Sequence, residues 1–151
     1  MPLLLSLIKE LAEYERLSHE VVATETDVHE ALFSDRAVAE AIVGEYGGLP
    51  VGFALYFRNF STFLGKPGIY LEDLYVKEEH RGKGFGHRLL VHLARLAGES
   101  GCQRLEWAVL NWNELAIKTY RRIKAVPMDH WTVYRLAGED LKRLADENVD
   151  L

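Results

Sequence analysis

The stretch RGKGFGHRLL, residues 81–90, constrains the fold more than any other part of the chain. It follows an alternating apolar run, IYLEDLYV, and leads straight into Leu89, Leu90, Leu93, Leu96 and Ala97, an apolar stripe at helical spacing. Glycine costs ~1 kcal/mol relative to alanine inside a helix, so Gly82, Gly84 and Gly86 do not suit a helix interior. The segment reads as strand, glycine loop and helix start. A helix start presents N–H groups without internal partners and the positive end of the dipole. Glycine lets the backbone come close to a ligand, and Arg81 and Lys83 add positive charge. These features together describe a phosphate site.

Spacing decides which phosphate motif this is. A P-loop needs Lys and then Ser or Thr after its second glycine, and here His87 and Arg88 follow Gly86. A dinucleotide fingerprint starting at Gly82 or at Gly84 needs a third glycine at 87 or 89, where His87 and Leu89 stand. The pattern that fits is Arg81-x-x-Gly84-x-Gly86. Gly82 lies outside it.

The rest of the chain reads as one domain, 1–151, of mixed α/β or α+β class. Leu4, Leu7, Ile8 and Leu11 predict an amphipathic helix over 3–16. Thr24 and Asp27 have capping-box spacing ahead of a short helix. AVAEAIVGEY and VGFALYF predict a hairpin around Gly47-Gly48-Leu49-Pro50. NFSTFLGKPG is expected to be a loop. In IYLEDLYV, regular alternation puts Leu71, Asp73 and Tyr75 on one face and Tyr70, Glu72, Leu74 and Val76 on the other. Gly101 closes the helix after the glycine loop, and CQRLEWAVL predicts a strand. Asn111 or Asn113 caps a helix running to about Ile123. MDHWTVYRL predicts a strand and EDLKRLADE a terminal helix.

The formal charge of −5 and pI near 5.7 argue against a nucleic-acid partner. The apolar start MPLLLSLI runs into Lys9 and Glu10, too short for a membrane span and unlike a signal peptide. The single cysteine, Cys102, allows no internal disulfide. A cytoplasmic location without membrane partners is expected. Scattered histidines and the lack of an HExxH motif predict no metal site.

On this scaffold, Arg81-x-x-Gly84-x-Gly86 resembles the pyrophosphate loop of the GNAT acetyltransferases. YLEDLYVKEEHRGKGFG is similar to the central strand and loop of that superfamily. WAVLNWNELAIKTYRR is similar to its next strand, asparagine-bearing loop and tyrosine-bearing helix. LIKELAEYE, YLEDLYV and NWNELAIKTY resemble the spermidine/spermine and thialysine acetyltransferases. The likeness covers nearly the whole chain. It implies a GNAT fold, with a twisted, largely antiparallel central sheet flanked by helices. It also implies acetyl-coenzyme A as cosubstrate and a homodimer.

The implied reaction is direct attack of a primary amine, of a small polyamine or lysine-like substrate, on the acetyl thioester. An alkyl ammonium titrates near ~10.4, so at pH 7 only about one in 10³ is free amine, and a proton must be removed. The resemblance places Glu72 beside the thioester as proton acceptor, directly or through water, and implies a bulged central strand, which would relax the opposite-face reading of Glu72 and Asp73. It makes Tyr120 the general acid for the departing thiolate. Leu74, Tyr75 and Val76 fall at the cofactor, with Arg81, Gly82, Lys83, Gly84, Phe85 and Gly86 in the loop. Asn113 contacts the pantetheine, caps its helix, or does both. Glu25 and Asp27, with Glu72 and Asp73, are the substrate-binding carboxylates.

Two departures from the family carry expectations. Helical periodicity from Leu3 leaves no room for the usual first strand, so the neighbouring strand becomes an edge for a partner chain or loop to cover. After Tyr120, relatives carry glycine where this chain has Lys124. A lysine would be strained in a left-handed C-cap, so the helix is expected to end differently. Two alternatives stay open. One is acetylation of an amino acid, an aminoglycoside-like amine or a protein N-terminus. The other is a non-catalytic acyl-coenzyme A sensor.

Overall fold

The apolar stripe near the start folds as α1 (Pro2–Tyr14) in the computed structural model, which describes residues 1–148. Pro2 sits in the first turn, where its missing N–H costs nothing. Leu4, Leu5, Leu7 and Leu11 are buried. Arg16, in the left-handed region at φ 61°, ends the helix, and the Leu17 N–H returns to the Ala12 carbonyl at 2.7 Å. The Thr24–Asp27 capping box forms as expected and opens α2 (Glu25–Phe33). Among the described residues, no helix is long and apolar enough to cross a membrane.

Strands β1 (Glu40–Tyr46), β2 (Leu49–Ser61), β3 (Lys66–Val76) and β4 (Leu105–Trp107) make one mixed sheet in the order β1-β2-β3-β4. The first two pairings are antiparallel and the last is parallel. Gly47 and Gly48, both at positive φ, form the two-residue turn between β1 and β2. Leu49 and Pro50 already belong to β2. The expected 59–68 loop is mostly strand, because Asn59↔Gly68, Phe60↔Pro67 and Ser61↔Lys66 continue the ladder. Only Thr62–Gly65 turns, with the Gly65 N–H bonded to the Ser61 carbonyl at 2.8 Å.

Phe53 and Tyr75 pack with Leu4, Leu5, Leu7, Leu11 and Val28 beneath α1 and α2. Val76, the next residue along β3, lies toward Gly86 of α3 (Phe85–Glu99). Adjacent strand residues point to opposite faces, so α3 covers the other side of the sheet. It buries Leu89, Leu90, Leu93 and Ala97 there. Cys102 is buried just after α3, with the Arg58 Nη1 donating to its Sγ at 3.5 Å.

The compact unit Met1–Asn111 contains all of these elements. A second unit, Trp112–Leu151, is described as far as Asn148 and contains α4 (Glu114–Arg122) and α5 (Gly138–Ala145).

Three further local expectations need correcting. The run from Cys102 to Leu110 is strand only at Leu105–Trp107, where β3 offers partners. The segment 128–136 is not a strand. Its β-branched and aromatic content favours one only beside a neighbour that takes its hydrogen bonds, and no described strand pairs with it.

The third correction is the end of α4, which closes as the family pattern would have it despite the lysine. Lys124 takes φ 63°, and the Ala125 N–H reaches the Tyr120 carbonyl at 3.0 Å. Closing the helix outweighs the strain of a left-handed lysine. Lys124→Gly should therefore stabilise the protein by about 1 kcal/mol. Thermal unfolding checks this, and an unchanged or lower midpoint contradicts it.

Candidate active site

The glycine loop leaves β3 through a 3₁₀ turn, Glu78–His80, and enters α3 at Gly84. Gly84 is the N-cap residue, at φ 84°, and no side chain caps the helix. The first N–H groups of α3 therefore point outward. Gly82 sits at φ 74°, which explains a glycine that the motif spacing leaves unexplained. Both expected loop cations are held by backbone carbonyls. The Arg81 Nε donates to the Val76 carbonyl at 2.9 Å, and the Lys83 Nζ donates to the Glu79 carbonyl at 3.1 Å.

The second part of the site is a divergence of two strands. β3 and β4 pair only at Ile69↔Leu105, Tyr70↔Glu106 and Leu71↔Trp107. Both chains run on, but the ladder stops. The segment Glu72–Val76 therefore has strand geometry with no β4 partner along that side. This is where Leu74, Tyr75 and Val76 lie, directly before the glycine loop.

Glu72 marks the start of the divergence. Leu55 pairs with Asp73 and Tyr56 with Leu71, so Glu72 is an extra residue in a β-bulge. The bulge breaks the alternation behind the opposite-face expectation for the two carboxylates. Glu72 is exposed and Asp73 half-buried. Burial, then the charges of Glu72 and Glu15, push the Asp73 carboxyl up to about 6. Burial also raises the carboxyl of Glu15, the C-cap of α1. Sequence reasoning missed Glu15, whose charge bears on Asp73 only through the packing of α1 on the sheet. Asp27, by contrast, spends its carboxylate on the Thr24 cap, with Oδ2 at 2.7 Å from the Thr24 N and Oγ1. The Thr24 bonds hold the Asp27 carboxyl low. Glu25 lies beside it in the first turn of α2.

The Asp73 shift has a definite sign. A carboxyl raised to about 6 in the folded protein, against ~3.9 unfolded, binds more protons when folded between those values. Stability therefore falls as pH rises through that window. Asp73→Asn should stabilise the protein by about 2 kcal/mol at pH 8 and change little at pH 4. Urea unfolding at the two pH values tests this, and equal effects at both contradict it.

In the second unit, Asn113 caps α4, its Oδ1 accepting from the Ala116 N–H at 3.3 Å. Of the two asparagines considered as caps, it is the one used. Tyr120 lies one turn beyond Ala116 and Ile117 on the same helix.

The site is thus a mixed sheet that parts beside an uncapped, glycine-opened helix start. The Acetyltransferase (GNAT) family model matches residues 5–124, a span that crosses both units. The chain is 37% identical to thialysine N-epsilon-acetyltransferase of Bos taurus over 94% of its length and 89% of that protein. It is 29% identical to L-ornithine N5-acetyltransferase of Arabidopsis thaliana, over 99% of its length and 85% of the relative. Among solved structures, an integron cassette protein from the mobile metagenome of V. cholerae superposes with TM-score 0.77 at 32% identity, covering 91% of this chain and 86% of that one. The chain belongs to the GNAT acetyltransferase family and is an acyltransferase enzyme.

Proposed function

We propose that this enzyme transfers the acetyl group of acetyl-coenzyme A to a primary amine of a small polyamine or lysine-like molecule. The observation that carries the reading is the junction between an uncapped glycine loop and a β3 segment, Glu72–Val76, that has no partner on its β4 side. A long ligand that ends in a pyrophosphate needs both: amide-pairing edges for its pantetheine arm, and converging N–H groups for its phosphates. Leu74, Tyr75 and Val76 would hold the arm, and Gly82 to Gly86 the pyrophosphate. Arg81 and Lys83 shape the loop from behind. Asn113, already a helix cap, is assigned to the arm by the family likeness. Acetyl-coenzyme A supplies the activated acetyl thioester.

Holding a charged amine and taking its proton then fall to this chain's own residues. Glu72, exposed at the bulge, is the proton acceptor, directly or through water. Asp73 and Glu15, both partly buried and electrostatically linked, provide an acidic site suited to an ammonium group. An arriving cation would lower the Asp73 carboxyl and so bind its ionised form. Glu25 and Asp27 are a more distal acidic contribution. Tyr120 donates its phenolic proton to the departing thiolate.

The names of the relatives support amines of this class, since thialysine and ornithine both carry a primary amine on a short chain. The test is acetyl-coenzyme A turnover with a panel of diamines, polyamines, ornithine, lysine and thialysine. Turnover only with aminoglycosides or peptides would replace the substrate assignment. Cofactor binding with no thiol release for any amine would make the protein a sensor.

The family likeness also leads us to expect a homodimer. β1 is an edge strand, blunted by a bulge at Gly44/Glu45 and by Glu40 and Glu45. Light scattering at micromolar concentration tests the dimer, and a monomer removes it.

A further inference from the structure

We propose that Arg81 is a positioning residue that locks the glycine loop to the end of α1, setting the cofactor loop and the amine-side carboxylates as one unit. This rests on the functional reading above. The guanidinium carbon of Arg81 lies 4.1 Å from the centre of the Tyr14 ring and 5.6 Å from that of Tyr75. The Nε bond to the Val76 carbonyl fixes the plane of the group. Tyr14 is the last residue of α1, and Glu15 follows it as the cap. One side chain therefore touches the last residue of β3, the last residue of α1 and, through its own backbone, the first residue of the loop.

The same junction is tied a second time. Glu10, one turn before Tyr14, accepts from the Tyr75 hydroxyl through Oε2 and from the Lys77 Nζ through Oε1, both at 3.2 Å. These donors flank Val76, whose carbonyl Arg81 holds. Because α1 is fixed on both sides of that peptide, a shift of the loop has to move Tyr14 or break the stack. Moving Tyr14 displaces Glu15, whose charge bears on Asp73. The path runs from the loop through Arg81 and Tyr14 to the Glu15–Asp73 pair.

A planar clamp and a point charge make different demands on the residue. Lysine keeps the charge but loses the flat stacking face and the Nε geometry. If Arg81 clamps, Arg81→Lys and Arg81→Gln should both raise the amine KM by about 3- to 30-fold, the range of a partly buried cation–π contact. The rise in amine KM should exceed any fall in kcat at saturating amine and acetyl-coenzyme A. Tyr14→Leu should reproduce the KM effect, and Tyr14→Phe should fall closer to wild type. The Arg81→Lys/Tyr14→Leu double variant should be no worse than either single variant.

Wild-type amine KM in Arg81→Lys, with loss only of acetyl-coenzyme A affinity in Arg81→Gln, would overturn the clamp in favour of a simple charge. Strict additivity of the two sites would overturn it as well. If Tyr14→Leu does not fold, the comparison of lysine and glutamine at 81 still decides. Failure of the functional reading looks different, since the wild type itself would then turn over no amine. In that case the same double-variant cycle is read in unfolding midpoints. Coupling there supports the clamp and additivity refutes it.

Discussion

Gly84→Val should raise the dissociation constant for acetyl-coenzyme A by at least about 100-fold, a loss on the scale of one to two abolished charge-assisted hydrogen bonds plus backbone strain. The position shows why the effect would be specific. A Cβ at Gly84 meets no heavy atom of the protein within 4 Å, so valine does not clash with the fold. What it disturbs is the φ of 84° at the helix N-cap and the open space in front of the first N–H groups of α3. A β-branched residue is poorly suited to that backbone, so the loop has to refold or hold its amides behind two methyl groups. Calorimetric titration of the cofactor measures the effect, with a circular dichroism spectrum to confirm that α3 persists. Wild-type affinity would show that the loop does not hold the pyrophosphate.

Tyr120→Phe should lower kcat by about 10- to 100-fold, toward the low end of general acid–base effects, while cofactor affinity stays close to wild type. Only the hydroxyl is removed. The ring stays on the helix face it shares with Ala116 and Ile117, so α4 itself has no reason to change. A thiol near ~8.5 and a phenol near ~10 are matched closely enough for the tyrosine to support the leaving sulfur and then supply its proton. Full activity in this variant would make Tyr120 a structural residue. A loss of cofactor affinity equal to the loss of rate would move its role from catalysis to binding.

Local steric rules made part of this molecule legible in advance. The glycine loop, the Thr24–Asp27 cap and the leucine stripes of α1 and α3 each depend on residues within one or two turns of one another. Features set by distant partners were less accessible. Gly65, Pro67 and Gly68 suggest a loop, yet the ladder with Asn59–Ser61 holds most of that stretch as strand. The bulge at Glu72 is a mismatch of register between two strands, so it has no signature within IYLEDLYV itself and is expected only from the family resemblance. Glu15 reads as one more surface carboxylate until α1 lies over β3. Arg81 and Lys83 have the right charge for a phosphate loop, but periodicity does not reveal that both point back at carbonyls of their own chain. The Lys124 expectation erred by treating strain as prohibitive. A strain of ~1 kcal/mol is tolerated where it closes a helix.

The burial of Cys102 has a practical consequence for how the chemistry can be followed. In the proposed reaction each acetyl transfer liberates one thiol from acetyl-coenzyme A, and a chromogenic disulfide would report such thiols as they appear. This chain contains a single sulfhydryl of its own, buried just after α3 and in contact with the Arg58 guanidinium. A reagent in solvent reaches it only when that region opens. The native protein therefore contributes little background colour, and turnover can be recorded continuously without removing its only cysteine.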